Sequence, residues 1–454
     1  MPAGVLAVII DRYARRMNAD LHRLLPADAD ERQALVDEAH ARPPVPVGIP
    51  SVLTCIVALQ DSAGAAERAH LARLEEAGVV AEEPGFLRAS LGAATLQWER
   101  HTEFSRYSIV QPVRQSALLG ADRPSLGAAV PLPPDWVRAI PGRTVVALQL
   151  CLLASEGQND ATAVALARAF LGSQRIAASR LAGGSARLFA DFRVRPDGFM
   201  RALVLCEAMD EDAAGRLAAQ IAELEIYRVM ALRAFQPART LSAALARNES
   251  GLAAISRAIQ DGANEDMALL DDLMRVATEV ETLIAQHTVR FAASNAYHGI
   301  VRQRMAELEE TPIEGCVPAF VFLRRRLVPA MATVEAAALR LAGLSERTSR
   351  SSALLRTRVD IRNEAQSQDL LRSLTRGQRL QVRLQTTVEG LSVAAISYYV
   401  VGLIGFGAKS LSVGGVLPVS PEIAMGASIP VVLLAVWWVV KRARRLLHEE
   451  AGVD

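Results

Sequence analysis

The sequence predicts an α+β cytoplasmic domain with an antiparallel or mixed sheet, followed by a long-helix stalk and a C-terminal two-helix transmembrane hairpin. Apolar, β-branched runs separated by turn residues fill the first half, as in a sheet. Beyond about residue 240, Ala, Leu, Arg, Glu and Gln dominate, as in long helices. Two long uncharged apolar stretches follow near the C-terminus. We therefore expect four regions: an α/β cytoplasmic domain (1–236), a helical stalk domain (237–388), a transmembrane hairpin (389–441) and a basic cytoplasmic tail (442–454).

The first region carries the strand signals. Glycine-containing links at 181–186 and 195–198 are too short for anything but antiparallel hairpins. Helices on one face of such a sheet would give an α+β domain, and two ferredoxin-like halves are one arrangement that fits the order. The predicted strands are 51–59, 86–92, 94–110 (two strands or one bent strand), 144–154, 175–182, 185–194 and 198–208, and the predicted helices are 64–77, 158–171 and 210–235.

The stalk is predicted as helices over 240–260 and 264–306, a break near Pro312 and Gly315, a helix that stops near Gly343, and a last helix that continues into the membrane. Apolar side chains of this last helix recur at spacings of about three, four and seven residues, with a polar gap in between. Such a pattern is typical of an amphipathic, coiled-coil-like stalk that needs neighbours, so we expect a homo-oligomer. The apolar positions are Leu354, Ile361, Leu370, Leu374, Leu384, Val388 and Leu391.

The two predicted spans cover about 390–408 and 423–440. The first contains 19 residues without a formal charge, which as a helix extend about 29 Å, close to the hydrocarbon thickness of a bilayer. The second contains 18 such residues and ends at Trp437 and Trp438, amphipathic rings that favour the membrane interface. The lipid bilayer is therefore an expected partner.

Basic residues flank both spans on the same side. Positive charge stays in the cytoplasm, so we expect a two-pass protein of the bacterial inner (cytoplasmic) membrane with both termini cytoplasmic. The apolar run at residues 5–10 is too short for a secretion signal. The flanking basic residues are Arg372, Arg376, Arg379 and Arg383 before the first span, and Lys441, Arg442, Arg444 and Arg445 after the second.

The first span also carries polar and small residues. A hydroxyl in hydrocarbon needs a partner, and glycines let helices approach closely. Packing between helices and the lining of a pore both remain open as roles for Ser397, Tyr398, Tyr399, Gly402 and Gly405.

Composition narrows the other partners. The chain has 50 Lys and Arg against 49 Asp and Glu, so it lacks the basic excess that nucleic-acid binding requires. Its four cysteines have no metal-binding spacing and are expected to be buried free thiols in a reducing compartment. An unknown protein or a small ligand remains as a further partner.

One polar segment is a candidate site. On a single strand Glu99, His101 and Glu103 would share a face, about 7 Å apart at each step. Two carboxylates and an imidazole could hold a divalent cation or exchange protons, so a metal at this site is an open question. The alternative is a salt-bridged strand face in which His101 is hydrogen-bonded to a carboxylate.

A second segment, before Pro43 and Pro44, could join it. In the simpler alternative, His40 and Arg42 stand at the capped end of a helix that packs on the sheet. Together with His101 and Glu103 they would make a ligand or interaction cluster.

Motifs of established enzyme classes are missing. The sequence has no dinucleotide-binding GxGxxG, phosphate loop, nucleophile elbow or HExxH motif. We therefore expect no cofactor and favour a non-enzymatic protein, with an enzyme built on His40, His101 and Glu103 as a lesser alternative.

Four segments carry a family resemblance: HARPP (40–44), WERHTEFSRY (98–107), LLRTRVDI (354–361) and LQTTVEGLSVAAISYYVVGLIGF (384–406). In these, over nearly the whole chain, the sequence resembles an uncharacterised bacterial family of predicted membrane-anchored proteins, which brings no known activity. In architecture alone it is similar to CorA-type magnesium channels, but those carry Gly-Met-Asn after the first span, where this chain has GFGAKSLSVGG.

The sequence thus favours a membrane-anchored cytoplasmic protein that acts as an oligomeric scaffold or binds a ligand or partner at the inner membrane. The alternative is a CorA-like cation channel or transporter that lacks the Gly-Met-Asn signature.

Overall fold

The computed structural model describes residues 29–32, 43–60, 64–74, 78–83, 85–114, 130–155, 157–261, 266–413 and 420–450. Contacts divide this part of the chain into two compact units. The first contains the described residues up to Ile255 together with Met274–Ser349, and the second contains Ser256–Leu273 and the described residues from Arg350 onward.

A ten-stranded mixed sheet forms the centre of the first unit. Its spatial order is β10-β7-β8-β9-β6-β1-β5-β4-β3-β2, and every neighbouring pair is antiparallel except β6 and β9. The prediction of an antiparallel or mixed sheet is confirmed. The strands are β1 Ser51–Leu59, β2 Gly78–Glu83, β3 Phe86–Leu91, β4 Ala94–Arg100, β5 Phe104–Pro112, β6 Arg143–Ala154, β7 Ala177–Leu181, β8 Ala186–Val194, β9 Met200–Cys206 and β10 Thr311–Pro312.

Two of the helices begin at side-chain caps. Asn159 and Asp210 cap the third and fourth helices by accepting hydrogen bonds from the backbone N–H groups of Thr162 and Ala213. The helices in the described part of the chain are α1 Ala65–Leu71, α2 Pro134–Arg138, α3 Asp160–Leu171, α4 Glu211–Leu232, α5 Phe235–Gln260, α6 Asp266–Glu307, α7 Ala319–Val413 and α8 Pro421–Glu450.

Helices cover both faces of the sheet, rather than the single face that the sequence suggested. Successive strand residues point to opposite faces, so Val52 and Leu53 of β1 meet different partners. Val52 belongs to a core with α3, whereas Leu53 faces α4 near Gly215. A Cβ atom on Gly215 would lie 2.3 Å from the carbonyl oxygen of Val45, so only glycine permits α4 to pack this closely on the backbone of the segment that precedes β1.

The two halves of the sheet join at β1 and β6 into one continuous layer. In the described residues each half has one helix after its first strand and then an antiparallel meander, which differs from the βαββαβ order of a ferredoxin-like repeat.

Cys55 and Cys151 lie in the buried central strands β1 and β6, as their apolar surroundings in the sequence predict. Burial raises the pKa of the Cys55 thiol to about 11 and that of the Cys151 thiol to about 12. Both are free, buried thiols.

Helix α7 contains 95 residues and continues through Gly343, where the sequence suggested a stop. That expectation was wrong. A lone glycine costs a helix only about 1 kcal/mol, and good helix formers on both sides outweigh this cost.

The first turn of α7 is held by the edge of the sheet. Ser179 of β7 accepts a hydrogen bond from the backbone N–H of Ala319 at 2.8 Å, and Glu310 accepts one from that of Phe320 at 2.7 Å. Ser179 also donates to Glu310 at 2.5 Å. These contacts satisfy N–H groups that the start of a helix otherwise leaves unpaired.

Candidate functional site

The polar segment 99–103 lies where β4 ends and β5 begins. Glu99 is in β4, while His101 and Glu103 belong to the turn that follows Arg100. The three side chains therefore do not share one strand face as we expected from an uninterrupted strand. His40 and Arg42 lie outside the described residues.

Glu99 is paired across the hairpin. The β4–β5 register places it opposite Arg106, which donates to its carboxylate, and both residues are buried. Arg106 also approaches Glu223 of α4 at 3.5 Å, and Glu223 accepts from Arg304 of α6 at 2.7 Å. Burial, the largest single effect, lowers the pKa of Arg106, but the Glu99 carboxylate, with smaller contributions from Cys55 and Glu223, outweighs it and holds the pKa above its ordinary value.

Glu103 joins a second group of ion pairs. Its carboxylate accepts from Arg290 of α6 at 2.7 Å and from Arg233, just after α4, at 3.2 Å. Burial and the nearby Glu103 carboxylate raise the pKa of Tyr297 to about 12. The ring of His101 stacks on Phe104, with 4.4 Å between centroids.

Together these contacts form an ion-pair network that ties the β4–β5 hairpin to α4 and α6. Each carboxylate of the network already faces one or two guanidinium groups, and this charge balance is typical of a structural ion-pair network rather than of a metal site. Among the described residues, no group of three or more His, Cys, Asp or Glu side chains could hold a metal ion.

The polar residues of the first span fall on different sides of α7. Ser397 is buried, and its hydroxyl has no hydrogen-bond partner within the described chain. Tyr398 and Tyr399 are 78 % and 69 % exposed. Gly405 lies against α8, since a Cβ atom there would come within 2.6 Å of the Met425 sulfur, whereas at Gly402 it would meet nothing within 4 Å.

Two helices, α7 and α8, contain stretches long and apolar enough to cross a membrane. Only 6 % of each apolar stretch is buried, whereas the core helix of a soluble protein would be mostly covered. At the end of the second stretch the Lys441 ammonium lies 4.5 Å from the Trp437 ring centre, and the Arg442 guanidinium 5.3 Å from that of Trp438. Both are cation–π contacts.

A protein-family model matches residues 27–447, nearly the whole chain, and is described as "Protein of unknown function (DUF3422)". The chain belongs to the DUF3422 family. No curated protein and no solved structure matches it. The expected membership of an uncharacterised family is therefore confirmed, and none of the comparisons links this DUF3422 chain to CorA-type channels.

The region that the DUF3422 model matches includes a stretch of α7 with few packing neighbours in the described chain. From Arg356 to Gln385 nearly every side chain is exposed, although good apolar side chains recur along it. Five apolar residues between Leu370 and Leu391 follow spacings of 4, 10, 4 and 3 residues and so share one stripe of the helix, which we call the α7 seam. The α7 seam comprises Leu370, Leu374, Leu384, Val388 and Leu391, which are 60 to 73 % exposed.

The sequence could have revealed part of the network. A turn at 101–103 in WERHTEFSRY brings Glu99 opposite Arg106 in a hairpin. The missed residues are Glu223, Arg233, Arg290 and Arg304, which come from distant helices and carry no local signal.

Proposed function

We propose that this DUF3422 protein is a homo-oligomer anchored at the cytoplasmic face of the bacterial inner membrane, where it acts as a scaffold. In this proposal the hairpin of α7 and α8 crosses the bilayer, and the α7 seam joins copies to one another. The folded first unit is then free to bind a partner or ligand.

The exposed α7 seam is the observation that carries the proposal. Full burial of a leucine in water contributes roughly 1.5–3 kcal/mol, so the four seam residues that precede the first span, left about two-thirds exposed, represent a large unused driving force. In proteins most of the stability of a helix comes from packing of its amphipathic face. Pairing with a second copy supplies both the missing burial and the missing contacts.

The membrane favours one geometry of pairing. Copies inserted in the same bilayer with the same orientation have parallel α7 helices at the same height. Identical seam positions then face each other, as a and d positions do in a parallel coiled coil. Lateral confinement also raises the effective concentration of the partner helix.

Support for the orientation comes from charge. Arginines precede the first span, and Lys441 and Arg442, which contact Trp437 and Trp438, follow the second. Because a hairpin of two spans returns the chain to the side on which it entered, both basic groups belong to the same side of the membrane. Basic residues remain on the cytoplasmic side and attract anionic lipid headgroups.

Cysteine cross-linking in native membranes tests the seam. We would place Leu384→Cys in the full chain with Cys316→Ser, because the other three cysteines are buried. Oxidation should yield a covalent dimer, since facing a or d positions approach to within the roughly 7 Å that a disulfide tolerates between Cα atoms.

The matched control is Val382→Cys. Val382 is 62 % exposed, as is Leu384, but residues two apart point to different sides of a helix. We expect little cross-linking there. Equal cross-linking at both positions, or none at Leu384→Cys, would refute pairing through the α7 seam.

A further inference from the structure

The repeat of the α7 seam continues into the first span. After Val388 and Leu391, the next members of the same seven-residue repeat are Ala395, Tyr398 and Gly402. Such a repeat keeps its members on one side of helices that coil around each other. These three residues, which we call the span stripe, are therefore in line with the α7 seam.

The described chain leaves the span stripe uncovered. Ala395 and Tyr398 are exposed, and a Cβ atom on Gly402 would meet nothing within 4 Å. Helix α8 reaches this line of residues only at the next position of the repeat, Gly405, where a Cβ atom would come within 2.6 Å of the Met425 sulfur. In a membrane, either lipid or a second copy of the chain must therefore cover the span stripe.

The position of Tyr398 favours a second copy over lipid. Its side chain is 78 % exposed, and it follows Gly390 by eight residues, which places it about 12 Å into a span of about 29 Å. The side chain leans back toward the start of the helix by less than that distance, so the hydroxyl stays within the hydrocarbon. Lipid tails offer no hydrogen-bond acceptor, and a polar group left unpaired among them is costly. An acceptor from another protein chain removes that cost.

We propose that the α7 helices of two copies remain in contact through the middle of the first span, with α8 outside the pair. Because Tyr398 continues the series of Leu384 and Leu391, the two copies of this tyrosine face each other in a parallel pair, and one hydroxyl donates to the other. Ala395 and Gly402, one turn before and one turn after it, are small and leave room for the rings between the helices. The inference rests on pairing through the α7 seam and extends that pairing from the aqueous stalk into the bilayer.

Oxidative cross-linking in native membranes tests the contact. Gly402→Cys is introduced into the full chain together with Cys316→Ser, and the open space at Gly402 accepts the new side chain. Leu403→Cys is the matched control, because Leu403 is 70 % exposed and lies at nearly the same depth but points about 100° away around the helix. We expect a covalent dimer from Gly402→Cys and only a background level from Leu403→Cys. Equal cross-linking at the two positions, or none at Gly402→Cys, would overturn the proposal.

The Leu384→Cys variant, measured in the same membranes, separates this inference from the proposed function. A dimer at Leu384→Cys without one at Gly402→Cys would mean that the helices part at the membrane surface, which overturns the inference and leaves the α7 seam intact. A dimer at Gly402→Cys alone would support the contact in the bilayer and refute the α7 seam. No dimer at either position would refute both.

Tyr398→Phe tests the hydroxyl, because it removes one oxygen atom and keeps the ring. Association is measured by energy transfer between labelled copies in liposomes as the lipid-to-protein ratio rises. We expect the variant to associate about threefold more weakly than wild type, as for an average hydrogen bond between membrane helices. Unchanged association would contradict the hydrogen bond assigned to Tyr398.

Discussion

Removal of Glu99 should destabilise the protein far more than removal of the whole Glu99–Arg106 pair. The side chain of Arg106 is 10 % exposed and that of Glu99 is 6 % exposed, so water screens their attraction little. In Glu99→Leu the guanidinium stays buried and keeps only Glu223, at 3.5 Å. Breaking a buried pair costs about 3–5 kcal/mol, and we expect the lower end, about 3 kcal/mol, because Glu223 remains.

The double variant Glu99→Leu/Arg106→Met removes both charges and replaces them with apolar side chains of similar volume. Such replacements are close to neutral, and Glu223 keeps its contact with Arg304, so we expect a loss of about 1 kcal/mol or less. The opposite order of stability would be expected if each side chain contributed independently.

Thermal unfolding of the full chain in nanodiscs, followed by intrinsic fluorescence, measures this difference. In a large folded unit, a loss of 1 kcal/mol in the free energy of unfolding lowers the unfolding temperature by about 2 °C, so the single variant should unfold about 6 °C below wild type. Arg138→Ala is the control, since its pair with Asp135 has side chains 78 % and 90 % exposed and should shift the temperature very little. If Glu99→Leu were no less stable than the double variant, the account of Arg106 as a desolvated charge would be refuted.

Three further outcomes are expected. Gly405→Leu should destabilise the hairpin by about 1–3 kcal/mol through its clash with Met425, while Gly402→Leu should not, and unfolding of nanodisc samples in a denaturing detergent would distinguish them. Burial, and to a smaller extent Arg73, lowers the pKa of His70, so the unfolded chain binds a proton more readily than the folded chain. The stability should therefore fall as the pH drops below about 6.5. In melting curves measured at several pH values, His70→Gln should remove that part of the pH dependence. Proteoliposomes should show no cation flux above empty vesicles, and a reproducible flux would instead favour the CorA-like alternative.

Local patterns predicted much of the fold. The uncharged spans and the alternating strands are signals contained within each segment, and their positions need no knowledge of the partner. Helix α1 was expected over 64–77 but ends at Leu71, and β2 was missed because Glu82 and Glu83 make it resemble a loop. An edge strand tolerates such charges because one of its sides faces water.

The site was harder to predict because its contacts are distant in sequence. Glu103 stands in a polar segment that the sequence makes conspicuous, but Arg290, which contacts it, is 187 residues away.

The hydrogen bonds of Ser179 and Glu310 at the start of α7 have a mechanical consequence. A long helix without lateral support ordinarily frays from its ends, but here the first amides are fastened to a sheet edge and cannot unwind independently of it. A pull on the helix would therefore be transmitted first to β7, which is held between β8 and β10, and not to a flexible tether.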